Sequence, residues 1–183
     1  MTKIEYIWLD GSEPQQLRSK TKVVGLQINA ITDVPVWGFD GSSTKQADGD
    51  NSDLVLKPIR LYDNPLDANT EIQSKLVLCE VWNVDDTPHN TNHRFELEEV
   101  YSSVKDEEPW FGIEQEYTLF KNGNPLGWPE DGSEPDEQGD YYCGRNIGED
   151  ITRQHMDACI MSDIKIAGIN SEVMLGQWEY QIG

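Results

Sequence analysis

The sequence has 183 residues, which suffices for one sizeable domain or two small ones. Fourteen basic residues face 34 acidic ones, giving a formal net charge of −20, and such a surface repels phosphate backbones and argues against nucleic-acid binding. Three scattered cysteines without a CxxC pair argue against a disulfide framework or a Cys-rich zinc site, and no apolar stretch reaches membrane-spanning length.

In chain order, the N-terminus "MTKIEYIWLDGSE" has neither a long apolar run nor a small-residue cleavage site and is not expected to be a signal peptide. Its core, "KIEYIWLD", sets Ile4, Tyr6 and Trp8 against Glu5 and Ile7, the alternation of a strand. Further strands are predicted in "TKVVGLQI", "DLVLKPIRLY" and "KLVLCEVW", separated by Gly, Asp, Ser and Asn clusters such as "DGSSTKQADGDNSD" at 40–53. Residues 85–93, "DDTPHNTNH", read as a linker. A helix follows in "RFELEEVYSSVKDE", with Phe95, Leu97, Val100 and Val104 near helical spacing. "WFGIEQEYTLF" predicts a strand, and 121–140 a long Gly/Pro/acid loop. A second helix is expected to start near Glu149 or Asp150 and run through "ITRQHMDACIM", followed by strand-like "KIAGI", "INSEVM" and "QWEYQIG". This pattern predicts an α+β chain: a small sheet domain over 1–88 and a second domain with alternating strands and helices over 89–183.

Two sets of carboxylates stand out. Glu114 and Glu116 are two apart, so on a strand they share a face, with Ile113, Gln115 and Tyr117 opposite. At 4 Å and an effective dielectric of about 20, two such charges repel by about 4 kcal/mol. A solvated strand face is one explanation, a bridging divalent cation the other, and oxygen-only ligands favour hard ions such as magnesium or manganese. Glu172 and Glu179 lie among apolar neighbours, Val173 and Met174 beside one, Trp178 and Tyr180 flanking the other. On one straight strand seven residues apart they would face opposite ways; a hairpin folded near Leu175 and Gly176 would bring them side by side. A carboxylate among apolar groups must be paired, protonated or metal-bound.

Other signals fall away. "DGDNSD" at 48–53 begins like a calcium loop, but Asp53 replaces the turn glycine and Ile59 the terminal bidentate glutamate. Neither a P-loop nor GxGxxG occurs. His89 and His93 follow Pro88 in the linker without a ligand pattern, His155 reads as a packing or surface residue, and Ser42 and Ser43 as turn caps.

The stretches "VWGFDGSSTKQADGDNSD", "PHNTNHR", "PWFGIEQEYTLF", "PLGWP", "GDYYCG" and "EVMLGQWEYQIG", in this order, resemble the N-terminal half of type II glutamine synthetases. The resemblance implies an N-terminal β-grasp domain followed by the first part of a catalytic α/β domain. It implies a cytoplasmic ligase that uses ATP to join ammonium and glutamate through a γ-glutamyl phosphate, with Mg2+ or Mn2+. By motif, Glu116, Glu172 and Glu179 match the ligands of one metal, and Glu114 a ligand of a second that bridges the nucleotide phosphates. Asp40 matches an aspartate that a neighbouring subunit contributes to ammonium binding and deprotonation. Tyr142 matches a residue of the ammonium and glutamate pocket, and Trp110 and Gln181 match contacts to ligand and nucleotide. The family chain is about twice as long, and its later half carries the remaining metal ligands and the substrate-clamping arginines. Gly183 is therefore expected to lie within a domain, not at a boundary. The partners implied are glutamate, ammonium and ATP, with either a homo-oligomer or a complementary C-terminal chain. The alternative is a non-catalytic product that assembles with, or regulates, a full-length synthetase. The family also has proline at the positions of Leu175 and Asp140; leucine at 175 removes a fixed backbone angle and is expected to loosen the turn between Glu172 and Glu179.

Overall fold

The computed structural model describes residues 1–67 and 71–183. They form two compact units, Met1–Pro109 and Trp110–Gly183.

The first unit is built on a five-stranded sheet of β1 (Thr2–Leu9), β2 (Leu17–Val24), β3 (Trp37–Asp40), β4 (Asp53–Asp63) and β5 (Gln73–Asn83). The strand order is β2-β1-β5-β4-β3, with β1 and β5 parallel and the other neighbours antiparallel. The two-residue period puts Ile4, Tyr6 and Trp8 on the buried face, against Phe39, Leu54, Leu56, Val77, Cys79 and Val81. Ile28 and Val34, from the connection after β2, close that core. Each large apolar side chain buried there contributes roughly 1.5–3 kcal/mol. Tyr6 donates its hydroxyl proton to the Pro35 carbonyl at 2.7 Å.

Three details differ from expectation. The strand predicted at 21–28 runs instead from Leu17 to Val24, because β2 pairs residue for residue with β1 across the turn after Asp10. Ile28 leaves the sheet and meets the Gln73 side chain, which accepts from the Ile28 amide and donates to its carbonyl, both at 2.9 Å. The short strand β3 was not anticipated. Its four residues carry a Gly in the middle, and only its pairing with β4 makes it a strand.

The turn after β1 is organised by Asp10, which is fully buried. It accepts from the Gln16 and Ser12 amides at 2.9 Å each and from Arg18 Nε at 2.8 Å. These donors, the Gln16 amide foremost, lower its pKa from 3.8 to about 2 against the opposing effect of burial.

The helix α1 (His93–Val104) is capped by Asn92, whose side chain accepts from the Phe95 amide at 3.2 Å. Phe95 packs edge-on against Trp82 of β5 at 5.4 Å. By this contact α1 sits with the first unit, whereas the sequence places its start beyond a division at 88. Leu97, Val100 and Val104, the rest of the predicted apolar stripe, are exposed.

The second unit contains β6 (Ile113–Thr118), β7 (Phe120–Lys121), β8 (Asn124–Pro125), α2 (Glu149–Met161), β9 (Ile166–Ser171) and β10 (Gln177–Ile182). Its main sheet has the order β6-β10-β9, antiparallel throughout. β7 and β8 form a small hairpin within what the sequence suggested was loop. Its turn residues, Asn122 and Gly123, both have positive φ, and Asn-Gly is the strongest local hairpin signal. α2 starts at Glu149 as expected and lies against one face of the main sheet, where His155 meets the rings of Tyr117 (6.2 Å) and Tyr180 (5.0 Å). The other face carries the acidic residues.

Candidate metal centre

Strand register decides which carboxylates meet. In the β10–β6 pair, Glu179 stands opposite Glu116 and Gln181 opposite Glu114; in the β10–β9 pair, Glu179 stands opposite Asn170. Directly opposite residues share a face, so Glu114, Glu116, Asn170, Glu179 and Gln181 project from the side away from α2. Glu172 follows the last residue of β9. The connection 172–176 folds back there, with the Glu172 amide donating to the Gln177 carbonyl at 3.0 Å and the Gln177 amide to the Met174 carbonyl at 3.0 Å. The predicted hairpin exists, although Glu172 belongs to its turn and not to a strand.

The result is a convergence of three glutamates. One carboxylate oxygen from each of Glu116, Glu172 and Glu179 lies within 4.8 Å of the others. Glu172 and Glu179 are buried, 7% and 9% exposed, while Glu116 faces solvent. No lysine or arginine is paired with any of the three among the described residues. Burial raises the Glu172 pKa, as do the side-chain hydrogen bond to Glu179 and the charges of Glu116 and Glu179. Three acids this close, two of them buried and none paired with a cation, are unfavourable by themselves, and a divalent cation turns each repulsion into attraction. The donors are all oxygens, the set that suits magnesium or manganese.

Amide side chains aim the carboxylates. Gln177 Nε2 donates to Glu116 Oε2 at 2.8 Å, Asn170 Nδ2 to Glu172 Oε1 at 3.0 Å, and the Val173 amide to Glu172 Oε2 at 3.2 Å. Gln181 Nε2 donates to Glu179 Oε1, and to Asn170 Oδ1 at 2.6 Å. Each acid thus has at least one oxygen, and Glu172 both, tethered by a neutral donor that leaves its charge intact. Sequence reasoning missed Asn170 and Gln177, although both sit two residues from a glutamate, at the spacing that shares a strand face.

The turn that carries Glu172 is fixed from outside. Asn146 donates from Nδ2 to the Met174 and Gln177 carbonyls, both at 3.2 Å, and accepts from the Gly176 amide at 2.8 Å. Trp128 Nε1 donates to the Leu175 carbonyl at 3.2 Å, and the Gly139 amide to the Val173 carbonyl at 2.7 Å. Gly176 has φ +80°, and a Cβ there would lie 2.6 Å from the Leu126 carbonyl oxygen. These hydrogen bonds hold the turn in which leucine stands at 175.

The other candidate residues are placed less tightly. Glu114 shares the face but stands outside the convergent three. Gln181 is engaged with Glu179 and Asn170. Tyr142 is 58% exposed on the loop after Gly139. Its pKa is raised first by its hydrogen bond to the Cys143 side chain, and also by the charges of Cys143, Glu172 and Glu179. Trp110, the first residue of the second unit, is almost fully exposed. Asp40 belongs to the first unit, at the exposed end of β3, where its Oδ1 accepts from the Ser42 amide at 2.9 Å and the Ser42 hydroxyl at 2.6 Å. Those donors, the Ser42 hydroxyl first, lower its pKa.

Residues 1–84 match the family described as the glutamine synthetase β-grasp domain. The whole chain is similar to curated glutamine synthetases. It is 50% identical over 186 residues to that of Streptomyces viridochromogenes, covering 99% of this chain and 53% of that protein. It is 47% identical over 184 residues to that of Tuber borchii, covering 98% of this chain and 50% of that protein. The chain therefore spans about half the length of the curated relatives it matches. Among solved structures, a cryo-EM structure of Plasmodium falciparum glutamine synthetase aligns with a TM-score of 0.66 at 15% identity, over 99% of this chain and 41% of that one. At that identity the likeness concerns the fold alone, which is that of an α+β chain with a β-grasp first domain.

Proposed function

For a chain that belongs to the glutamine synthetase family, we propose that it supplies the metal-holding half of a site that ligates ammonia to glutamate with ATP. The observation that carries this reading is the convergence of Glu116, Glu172 and Glu179 without a cationic partner. Mg2+ or Mn2+ bound there would screen negative charge on the glutamate side chain and on the phosphoryl group it receives. Glu114 would help to hold a second ion, which would offset charge on the nucleotide phosphates, with further ligands from the complementary half of the site.

The chain's own residues then have separable tasks. The three glutamates hold charge at fixed positions, and Asn170, Gln177 and Gln181 keep them aimed. In the reaction the γ-carboxylate of glutamate attacks the terminal phosphorus of ATP, ADP leaves, and ammonia displaces phosphate from the resulting acyl phosphate. Ammonium must lose a proton before it can attack. As the resemblance implies, we assign Asp40, a carboxylate held by its Ser42 donors, to ammonium binding and that proton transfer from a neighbouring subunit. Tyr142 borders the ammonium and glutamate pocket in this reading, and Trp110 and Gln181 contact ligand and nucleotide. The chain would act in the cytoplasm, either in a homo-oligomer or with a complementary C-terminal chain. No helix among the described residues is long and apolar enough to cross a membrane.

The test is reconstitution. The chain is mixed with a chain that carries the second half of a relative, and ATP-dependent glutamine formation is measured with ammonium and glutamate. Activity that is lost on Glu179→Ala supports the reading. Association without turnover supports the non-catalytic assembly partner instead, and neither association nor turnover contradicts both.

A further inference from the structure

The linker histidine that sequence reasoning set aside takes part in a closed hydrogen-bond circuit of the first unit. The Thr91 amide donates to His89 Nδ1 at 3.2 Å, so that nitrogen is an acceptor and the ring proton sits on Nε2. Nε2 lies 2.6 Å from the Gln46 carbonyl oxygen, which can only accept. Thr91 Oγ1 lies 2.9 Å from Nδ1 and accepts from Gln46 Nε2 at 2.8 Å. The circuit therefore runs from the Gln46 side chain to Thr91, to His89, and back to the Gln46 backbone. It is anchored on both sides: Thr44 Oγ1 donates to Gln46 Oε1 at 2.8 Å, and Gln46 Nε2 also donates to the Leu9 carbonyl at 3.2 Å. Gln46 itself is buried.

This circuit bolts down the end of one turn. Residues Gly41–Thr44 form a single 3-10 turn, closed by the Gln46 and Ala47 amides donating to the Gly41 carbonyl at 2.9 and 3.2 Å. Ser42 of the same turn supplies two donors to the exposed Asp40 carboxylate, at 2.9 and 2.6 Å. A carboxylate on a surface turn is mobile unless something rigid fixes the turn. Here the connection 89–92 does so, and its own backbone is held by the His89 amide on the Val81 carbonyl of β5 at 3.2 Å.

We propose that His89 is a positioning residue for Asp40: its neutral imidazole locks the turn whose Ser42 orients the Asp40 carboxylate. The functional sense of this rests on the reading of Asp40 as the ammonium-site acid; the mechanical part does not. A satisfied polar residue that merely fills space would not couple to the ionisation of a carboxylate in a neighbouring turn, and that coupling is what the experiment reads.

The experiment uses NMR on the full chain. Imidazole nitrogen shifts are expected to show His89 as the Nε2–H tautomer. His89→Ala is expected to raise amide exchange at Gln46 and Ala47 about tenfold, the equivalent of one lost hydrogen bond. It is also expected to move the Asp40 pKa up towards its ordinary value. His89→Gln retains an N–H for the Gln46 carbonyl and an oxygen for the Thr91 amide, and is expected to restore both. An Nδ1–H tautomer, an unmoved Asp40 pKa in His89→Ala, or no restoration by glutamine overturns the proposal. The reading of Asp40 is tested apart, by the ammonium KM of Asp40→Asn in the reconstituted enzyme. An unchanged KM there removes the ammonium role and leaves the exchange and tautomer results standing. A raised KM in Asp40→Asn with no rise in His89→Ala overturns the positioning role alone.

Discussion

Replacing Glu172 by glutamine should change stability in opposite directions with and without a divalent cation. The three carboxylate oxygens lie within 4.8 Å of one another, a separation at which two unit charges repel by about 3.5 kcal/mol for an effective dielectric near 20. Glu172 has two such neighbours, so the sum before screening is at least about 7 kcal/mol. Its raised pKa and the solvent around Glu116 relieve much of this, and a net penalty of about 1–2 kcal/mol is a reasonable remainder after screening. Glutamine removes the charge and keeps an oxygen for one of the Asn170 and Val173 donors, which reach separate oxygens of Glu172. In chelator the variant should therefore melt higher than the parent, by about 2–8 °C at roughly 2–4 °C per kcal/mol for a chain of this size. A cation at about 100 times its Kd stabilises the parent by about 2.7 kcal/mol, and the variant should forgo most of that gain. Thermal unfolding in EDTA and in Mn2+ measures all four values. A variant that is no more stable in EDTA, together with a parent indifferent to Mn2+, would refute the electrostatic reasoning.

Three further outcomes follow from the same geometry. Gly176→Ala places a Cβ 2.6 Å from the Leu126 carbonyl oxygen at φ +80°; it should cost about 1–3 kcal/mol and weaken Mn2+ binding, as chemical denaturation and a metal titration will show. Asn146→Ala removes the three bonds that hold the turn and should lower cation affinity with little effect on the first unit, visible as amide shift changes confined to residues 110–183. Asp10→Asn tests the first unit through pH. The folded carboxyl titrates near 2 against an ordinary 3.8, so its stabilisation is complete above about pH 4 and is lost as pH falls towards 2. The variant should melt lower than the parent at pH 7, and the gap should close between about pH 4 and pH 2.

Most of the strand and helix pattern was legible because it rests on local periodicity. Ile4, Tyr6 and Trp8 announced a half-buried strand, and the acidic start of α2 announced a helix N-terminus. The metal centre was legible in part. The Glu114/Glu116 spacing fixed a shared face, and the hairpin near Gly176 was inferable from the glycine. The separation of Glu114 from the convergent three was implied by the family resemblance but not by the residue pattern itself, because it depends on the pairing of Glu179 with Glu116, which is a matter of register. The tethers Asn170 and Gln177 escaped for the same reason, since an amide beside a carboxylate in sequence says nothing until strands align. The staple at Asn146 lies some thirty residues from the turn it holds, and no local pattern carries such a contact. The role of His89 was hidden in the same way: a histidine in a Pro- and Asn-rich linker shows its function only when folding sets it beside Gln46.

The central claim, that Glu116, Glu172 and Glu179 form a divalent-cation site, is tested most directly by titrating the chain with Mn2+ while following the free-ion EPR signal. The account predicts that the signal is depleted by a saturable site that competes with Mg2+ and is abolished by Glu179→Ala. A free-ion signal that grows in proportion to added Mn2+ from the first addition, or a site that survives Glu179→Ala unchanged, would contradict it.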